Sequence, residues 1–391
     1  YSTSHRRLWT GAAPFPGTAL AYAPRGTGAF LAGDGRLAVL EVANPHPEVS
    51  FGALFGRVWY EGYAQPEYVW QSSSGTDDFE PKLSLTPLLV GTLKGTAYSL
   101  LIAIPLAVFG AMYLSQFMHP RLKTVVKPAV EIMAALPSVV LGFLAGLWLA
   151  PRVQQFFPAL LVMTATFPLL SIGAGLAWGT LPRAWRGRLP AGSEIVLFVV
   201  VLAGGLWASI AVSPGGERAL FGGDFQAWLL RTTGLAYDQR NAIIVGLAMG
   251  FAVIPIIFAI AEDAFSNVPR VLVSGSLALG ANRWQTVTRI VLPTASPGIF
   301  SAIMVGFGRA VGETMIVLMA TGNTPILDWS PFNGFRTLSA NIAVEMSEAA
   351  QGSTLFRVLF LCAVLLFLLT FALNTAADLV RQHLRRKYGR Y

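Results

Sequence analysis

Arg309 and Glu313 stand four residues apart in Gly306-Phe-Gly-Arg-Ala-Val-Gly-Glu313, within a run from Ser296 to Ala320 that carries no other charge. At that spacing both side chains project from one face of a helix. A charge at the centre of a bilayer costs roughly 3 kcal/mol on insertion scales, so it persists where it faces a protein interior or an aqueous path. A guanidinium gives bidentate hydrogen bonds to a tetrahedral oxyanion. The pair therefore predicts an anion contact at Arg309, with Glu313 holding the guanidinium when no anion is present. The competing reading is an ion pair that only locks two helices together. Gly306, Gly308 and Gly312 are expected to bring helices close here. Arg309 is read as the one charge within the spans able to attract an anion.

A second candidate is Pro137-Ser138. A proline in a membrane helix removes one backbone hydrogen bond and frees a carbonyl. A half-helix starting there aims N–H groups and the Ser138 hydroxyl at an anion. A kink used only for packing is the alternative.

Composition names the medium that must position these residues. The chain is 54% hydrophobic and only 12% charged, with a mean hydropathy of +0.57. Soluble domains carry about 25% charged residues, so this is an integral membrane protein. Its one cysteine, Cys362, lies in an apolar run, which excludes a disulfide framework. Histidines at 5, 46, 119 and 383 have no metal-ligand spacing. No nucleophile–base or metal constellation points to an enzyme.

Seven apolar runs reach the roughly 20 residues that a crossing needs. They lie near Leu85–Leu114, Ala129–Leu149, Phe156–Trp178, Glu194–Val212, Ala242–Ala261, Pro297–Ala320 and Leu355–Ala376. The fourth has the shortest apolar core. The loops alternate in charge. One set holds Arg121, Lys123, Lys127, Arg183, Arg186, Arg188, Arg270, Arg283 and Arg289, with Arg381, Arg385, Arg386, Lys387 and Arg390 in the tail. The other holds Arg152, Arg218, Arg231, Arg240 and Arg336. Cytoplasmic loops carry the excess of Lys and Arg. The rule places the C-terminus in the cytoplasm and residues 1–82 outside. The net charge of +8 is thus a topology signal, and nucleic acid is not an expected partner.

Residues 1–82 read differently. Ala29-Phe-Leu-Ala-Gly-Asp-Gly-Arg-Leu-Ala-Val-Leu-Glu-Val42 predicts two short strands about an Asp-Gly turn. The segment has neither an initial Met nor a signal peptide, and is expected to be the end of a larger extracytoplasmic β domain. Gln71–Asp78 reads as a linker into the membrane. Residues 83–391 then form the membrane domain.

The loop after the fifth run, residues 263–293, carries a motif. Gly280, nine residues, then Ile290-Val-Leu-Pro293 resembles the EAA loop of ABC importer permeases. In that family the loop forms two short helices that dock into a groove of a separate ATPase. Gly280 permits the bend between them. Val287, Ile290 and Val291 make an apolar face, and Pro293 is expected to stop the second helix before the next span. The resemblance assigns coupling to Gly280, Ala281, Trp284, Ile290, Leu292 and Pro293. The Glu-Ala-Ala element itself is replaced by Ser274-Gly275-Ser276.

Glu131–Gly142, Gly308–Met315 and Thr337–Glu345 resemble the phosphate-specific ABC importers, and within them the PstC-type permease subunit. Tyr68-Val-Trp-Gln and Asp78–Leu85 resemble its long variant, and Pro182–Arg240 reads as an insertion relative to shorter members. The resemblance implies an all-α polytopic bundle of the MetI-like type I permease class, with a small β-rich extracytoplasmic segment. It also implies inorganic phosphate as substrate, a second permease (PstA-type), ATPase subunits (PstB-type) and a phosphate-binding protein (PstS-type). The chain has no Gly-x-x-x-x-Gly-Lys-Ser/Thr segment to cradle ATP phosphates, so energy must come from a partner. Sulfate or molybdate as cargo, an anion secondary transporter or channel, and a sensory scaffold are the rival readings.

Overall fold

The computed structural model describes residues 10–23, 28–42, 46–75, 79–180, 182 and 193–388. Arg183, Arg186, Arg188 and Arg390 of the basic loops lie outside them.

The strands β1 (Ala19–Tyr22), β2 (Gly28–Gly33) and β3 (Arg36–Glu41) form an antiparallel sheet in that order. Asp34 and Gly35 join β2 to β3 with φ of 51° and 69°, the paired left-handed conformations of a type I′ hairpin turn. The expected hairpin is present, and β1 adds a strand that the sequence reading did not foresee.

A short helix α1 (Phe51–Phe55), capped by the Ser50 hydroxyl, leads to β4 (Trp70–Gln71) and β5 (Lys82–Leu83). These last two strands pair with each other. The stretch expected to be a linker therefore connects two strands, apart from residues 76–78, which are not described. Leu54, Trp70, Leu83 and Leu85 are buried with Leu338, Val358, Leu359 and Cys362. The segment from residue 49 thus packs onto the helices.

Helix α2 (Thr86–Gln116) begins the membrane region, followed by α3 (Pro120–Ala134) and α4 (Ser138–Gln155). Then come α5 (Phe157–Thr180), α6 (Ser193–Phe221), α7 (Phe225–Thr233) and α8 (Ala242–Ser266). Helices α9 (Arg270–Ala278), α10 (Arg283–Gly312), α11 (Met315–Ala320), α12 (Leu338–Glu345) and α13 (Thr354–Tyr388) complete the order. Among the described residues, six are long and apolar enough to cross a membrane, and a seventh if α3 and α4 are one bent span.

Two positions decide that case. Lys123 and Lys127 of α3 bond Glu262 near the C-terminal end of α8, each at 2.6 Å. Phe157, just past α4, meets Tyr237 and Phe332 edge-on beside the start of α8. The chain between them passes from one end of α8 to the other, so α4 is a crossing rather than a re-entrant loop. The second span, expected near Ala129–Leu149, is therefore broken at Pro137, as the half-helix and kink readings both require. Its two parts meet at 85°, because Pro137 disfavours helical backbone at Leu136 and donates no N–H.

Glycines set the packing of the central helices. A Cβ on Gly246 or Gly250 would lie 3.1 Å from α2 atoms, and one on Gly110 would lie 3.4 Å from the Phe258 ring. These pairings run in the same direction along both chains, so α2 and α8 are parallel. Gly298 meets Ala264, and Gly306 meets Ile257 and Val253, which makes α10 antiparallel to α8. By contrast, α5 and α6 pack mainly on each other, joined by Thr166 and Ser209 at 3.3 Å. Helix α6 spans 29 residues, longer than the fourth apolar run suggested. Its Pro214-Gly-Gly216 continuation carries little apolar signal.

Charge divides along the bundle. Arg240 and Arg336 lie at the end that bears residues 49–85. Lys123, Lys127 and Arg381 lie at the opposite end, near Glu262, Asp263 and Asn267.

Candidate anion site and coupling loop

The helix carrying Arg309 does not continue to Glu313. It ends at Gly312, and Glu313 adopts extended backbone with φ −67° and ψ 126°. The Glu313 carboxylate turns forward and accepts from the N–H groups of Met315 and Ile316, at 3.2 and 3.3 Å. It thereby satisfies two of the donors that a new helix leaves open. The two charges consequently do not share a helical face and form no ion pair, contrary to the four-residue spacing. Gly312 permits the change of direction, and the capping bonds hold it. Arg309 is half-buried and, among the described residues, has no hydrogen-bond or ion-pair partner.

Pro137 and Ser138 sit at the start of a helix, as the half-helix reading requires. Pro137 is the residue before α4 with φ −62° and ψ 130°, and Ser138 opens it. What the sequence reading missed is the neighbour. Helix α11 lies alongside α4, with Gly142 over Met315 and Gly146 over Met319. A Cβ at Gly146 would come 2.3 Å from the Met319 carbonyl oxygen. Gly142-Phe-Leu-Ala-Gly146 is a small-xxx-small pattern that lets two backbones touch, and that signal was legible. The start of α11 at Met315 is thus held against α4 one turn after its own start at Ser138. Of the three glycines around Arg309, only Gly306 makes a close approach. A Cβ at Gly308 would first meet Asn374 at 3.9 Å, and one at Gly312 would meet nothing within 4 Å.

Nor is Arg309 the one cation in the spans. Lys94 of α2 has a side chain with 0% exposure, and its ammonium lies 2.5 Å from Asp328. The uncharged neighbours of Lys94 masked it in the hydropathy of the first run.

In the loop before α10, Gly280 takes φ +88°, the left-handed conformation that ends α9. Asn282 and Gln285 then form a reciprocal capping box at 2.8 and 2.9 Å. Ser276 of the substituted Glu-Ala-Ala element bonds Thr286 at 3.0 Å, tying the two arms together. Val287 and Val291 are buried, while Ile290 is half-buried and Trp284 is exposed. A groove of about 630 Å³ is lined by Val271, Leu279, Gly280, Ala281, Gln285 and Ile290, among others. Leu279 at its rim is 92% exposed.

Pro293 does not stop the second arm. Leu292 and Pro293 fall in a continuous helix from Arg283 to Gly312. The turn before them, Val287–Val291, is a π-helix. Its wider turn shifts the hydrogen-bond register, so the missing proline N–H disturbs the ladder little. The loop therefore has one free short helix and one that is the root of the Arg309 span. One wall of the groove, from Gln285 to Ile290, is therefore continuous with that span.

Comparison with known proteins follows this geometry. The family model described as binding-protein-dependent transport system inner membrane component matches residues 103–390. The probable ABC transporter permease protein YqgH of Bacillus subtilis is 27% identical over 79% of this chain and 75% of its own length. The phosphate transport system permease protein PstC 1 of Mycobacterium tuberculosis is 28% identical over 74% and 70%. PstC of Pasteurella multocida is 28% identical over 77% and 76%. A structure of the inward-facing MetNI methionine ABC transporter aligns over 77% of this chain and 94% of the other, with 15% identity and a TM-score of 0.41. The chain belongs to the binding-protein-dependent transport system inner membrane component family, as a polytopic permease subunit of an ABC importer.

Proposed function

We propose that the chain is the PstC-type permease of an ATP-driven phosphate importer and lines half of the phosphate path. The observation that carries this reading is the half-buried Arg309 guanidinium, without a partner among the described residues, one turn before the break between α10 and α11. The similarity to PstC permeases over about three quarters of the chain supports phosphate as the oxyanion. Arg309 contacts the anion through its planar fork. Glu313 limits affinity by its negative charge rather than by holding Arg309, since its carboxylate is engaged by Met315 and Ile316. Pro137 and Ser138 place a second helix start beside α11, toward the same path.

A PstA-type permease completes the path. PstB-type ATPases engage the groove around Gly280, Ala281 and Trp284, and a PstS-type protein delivers phosphate. The basic end of the bundle faces the cytoplasm and residues 1–82 face outward. Cysteines at Ser72 and Thr180 should then react from opposite sides of the membrane, and reaction of both from outside would refute this orientation.

Radiolabelled phosphate uptake by the assembled complex, with sulfate and molybdate as competitors, tests the substrate. Arg309→Gln should reduce uptake to near background, and Arg309→Lys should recover only part of it. Near-parental uptake by Arg309→Gln, at normal membrane abundance and assembly, would exclude the anion-contact role.

A further inference from the structure

Residues 321–345 return into the bundle instead of crossing it. The chain leaves α11 at Thr321, whose hydroxyl donates to the Phe335 carbonyl at 2.6 Å. Phe335 has 0% exposure. The tip of this segment lies against α2. A Cβ on Gly91 would sit 2.1 Å from the Arg336 carbonyl oxygen, and one on Gly95 would sit 2.7 Å from the Phe335 ring. Gly91-Thr-Leu-Lys-Gly95 is the flat surface on which it rests. Leu338 N–H donates to the Thr92 hydroxyl at 3.1 Å. Ser339 donates to the Glu313 carbonyl at 2.9 Å. The tip thus touches the break between α10 and α11, one turn from Arg309.

Two cations pin the segment. Lys94 contacts Asp328 at 2.5 Å, donates to the Asn333 carbonyl at 3.4 Å and lies 5.6 Å from the Phe335 ring centre. Asp328 accepts in turn from Asn333 Nδ2 at 2.5 Å. Arg336 donates to the Asn323 carbonyl, to Asn341 and to Glu345, and Trp70 of β4 donates to the same Glu345 oxygen. The second cation is thereby tied, through Glu345, to the N-terminal segment. The Lys94 pair differs, because Asp328 is 24% exposed while Lys94 is 0% exposed. One partner is fixed in a helix and the other rides on a loop at the edge of solvent.

We infer that residues 321–345 are a re-entrant plug closing the path above Arg309, and that the Lys94–Asp328 ion pair is its latch. The inference rests on the permease reading and adds Lys94 and Asp328 as positioning residues. Taking the counter-charge away from a buried ammonium is costly, so the plug stays seated while Asp328 is in place. Lifting the loop requires water or an anion to replace that carboxylate. Movement of the segment is then coupled to hydration of the path.

The test reads access directly. Ser339→Cys is placed in a Cys362→Ala background of the assembled complex in membranes, without ATP. A membrane-impermeant maleimide is then applied from the side of the N-terminal segment. Ser339 is only 7% exposed, so labelling should be slow. Adding Lys94→Gln or Asp328→Asn should accelerate it at least about tenfold, the effect of a change of about 1.4 kcal/mol in the closing equilibrium. Parental labelling rates in both variants, with normal assembly, overturn the latch. Loss of both variants from the membrane also overturns it, since the pair is then part of the fold and not a separable catch. The readout needs no phosphate. Accelerated labelling in a complex whose parent takes up no phosphate keeps the plug and removes the substrate reading.

Discussion

Gly146 of α4 lies so close to Met319 of α11 that a Cβ on it would stand 2.3 Å from the Met319 carbonyl oxygen. Gly142, one turn earlier, meets the Met315 carbonyl in the same way at 2.9 Å. Helices α4 and α11, which flank the proposed path, are therefore held by backbone contact, with no room for a side chain between them.

Enlarging Gly146 should separate these helices. Gly146→Val should lower stability by about 1–3 kcal/mol, the usual cost of overpacking, read as a lower melting temperature of the detergent-solubilised protein. Gly173→Ala is the control, because nothing lies within 4 Å of a Cβ there. A parental melting temperature for Gly146→Val would mean that α4 and α11 do not touch.

The bend at Gly280 is conformational. Its φ of +88° is strained for any side chain, yet no atom lies within 4 Å of a Cβ built there. A left-handed conformation costs an ordinary residue about 1–2 kcal/mol, and Asn less than most. Gly280→Val should insert normally but retain less ATPase on co-purification, and Gly280→Asn should retain more than Val. Equal retention by parent and Val would show that the groove is not the coupling surface.

Glu80 should make the N-terminal segment sensitive to pH. One of its carboxylate oxygens is buried without a partner among the described residues. Burial, and secondarily the charge of Glu48, push its carboxyl up from an ordinary value of 4.5 to about 7, against the opposing pull of Lys82. The folded segment therefore binds this proton more tightly than the unfolded one. Stability is gained as pH falls from about 7 to about 4.5, and is lost as pH rises through about 7. Hydrogen exchange of residues 49–85 should slow over that fall, after correction for intrinsic rates, and Glu80→Gln should flatten the dependence. An unchanged slope in Glu80→Gln would assign the effect to another group.

Several elements were legible because their signal is local. The Asp34-Gly35 turn needs two left-handed residues in a row, and few other dipeptides supply them. Gly280 announces the end of a helix by the same conformational rule. The capping box at Asn282 and Gln285 and the small-xxx-small pairs at Gly91/Gly95 and Gly142/Gly146 were equally present in the sequence. Their meaning depends on which neighbour arrives.

The errors share one cause. Spacing implies a helical face only if the helix continues, and hydropathy does not register a break in an apolar run. The sixth run reads as continuous from Pro297 to Ala320, yet Gly312 and the forward-turned Glu313 carboxylate divide it. Pro293 reads as a stop, yet the π-turn before it carries the helix through.

The sequence by itself determined that the chain is a polytopic permease with a basic end that bears the Gly280 loop, because apolar length, loop charge and the Gly280 motif are properties of contiguous residues. Only the tertiary structure decided the partners of its charges. Lys94 is neutralised by Asp328, 234 residues away, Glu262 by Lys123, 139 residues away, and Arg309 by nothing among the described residues. A buried charge chooses whichever counter-charge packing brings within reach, and that choice is made between helices, where no local pattern records it.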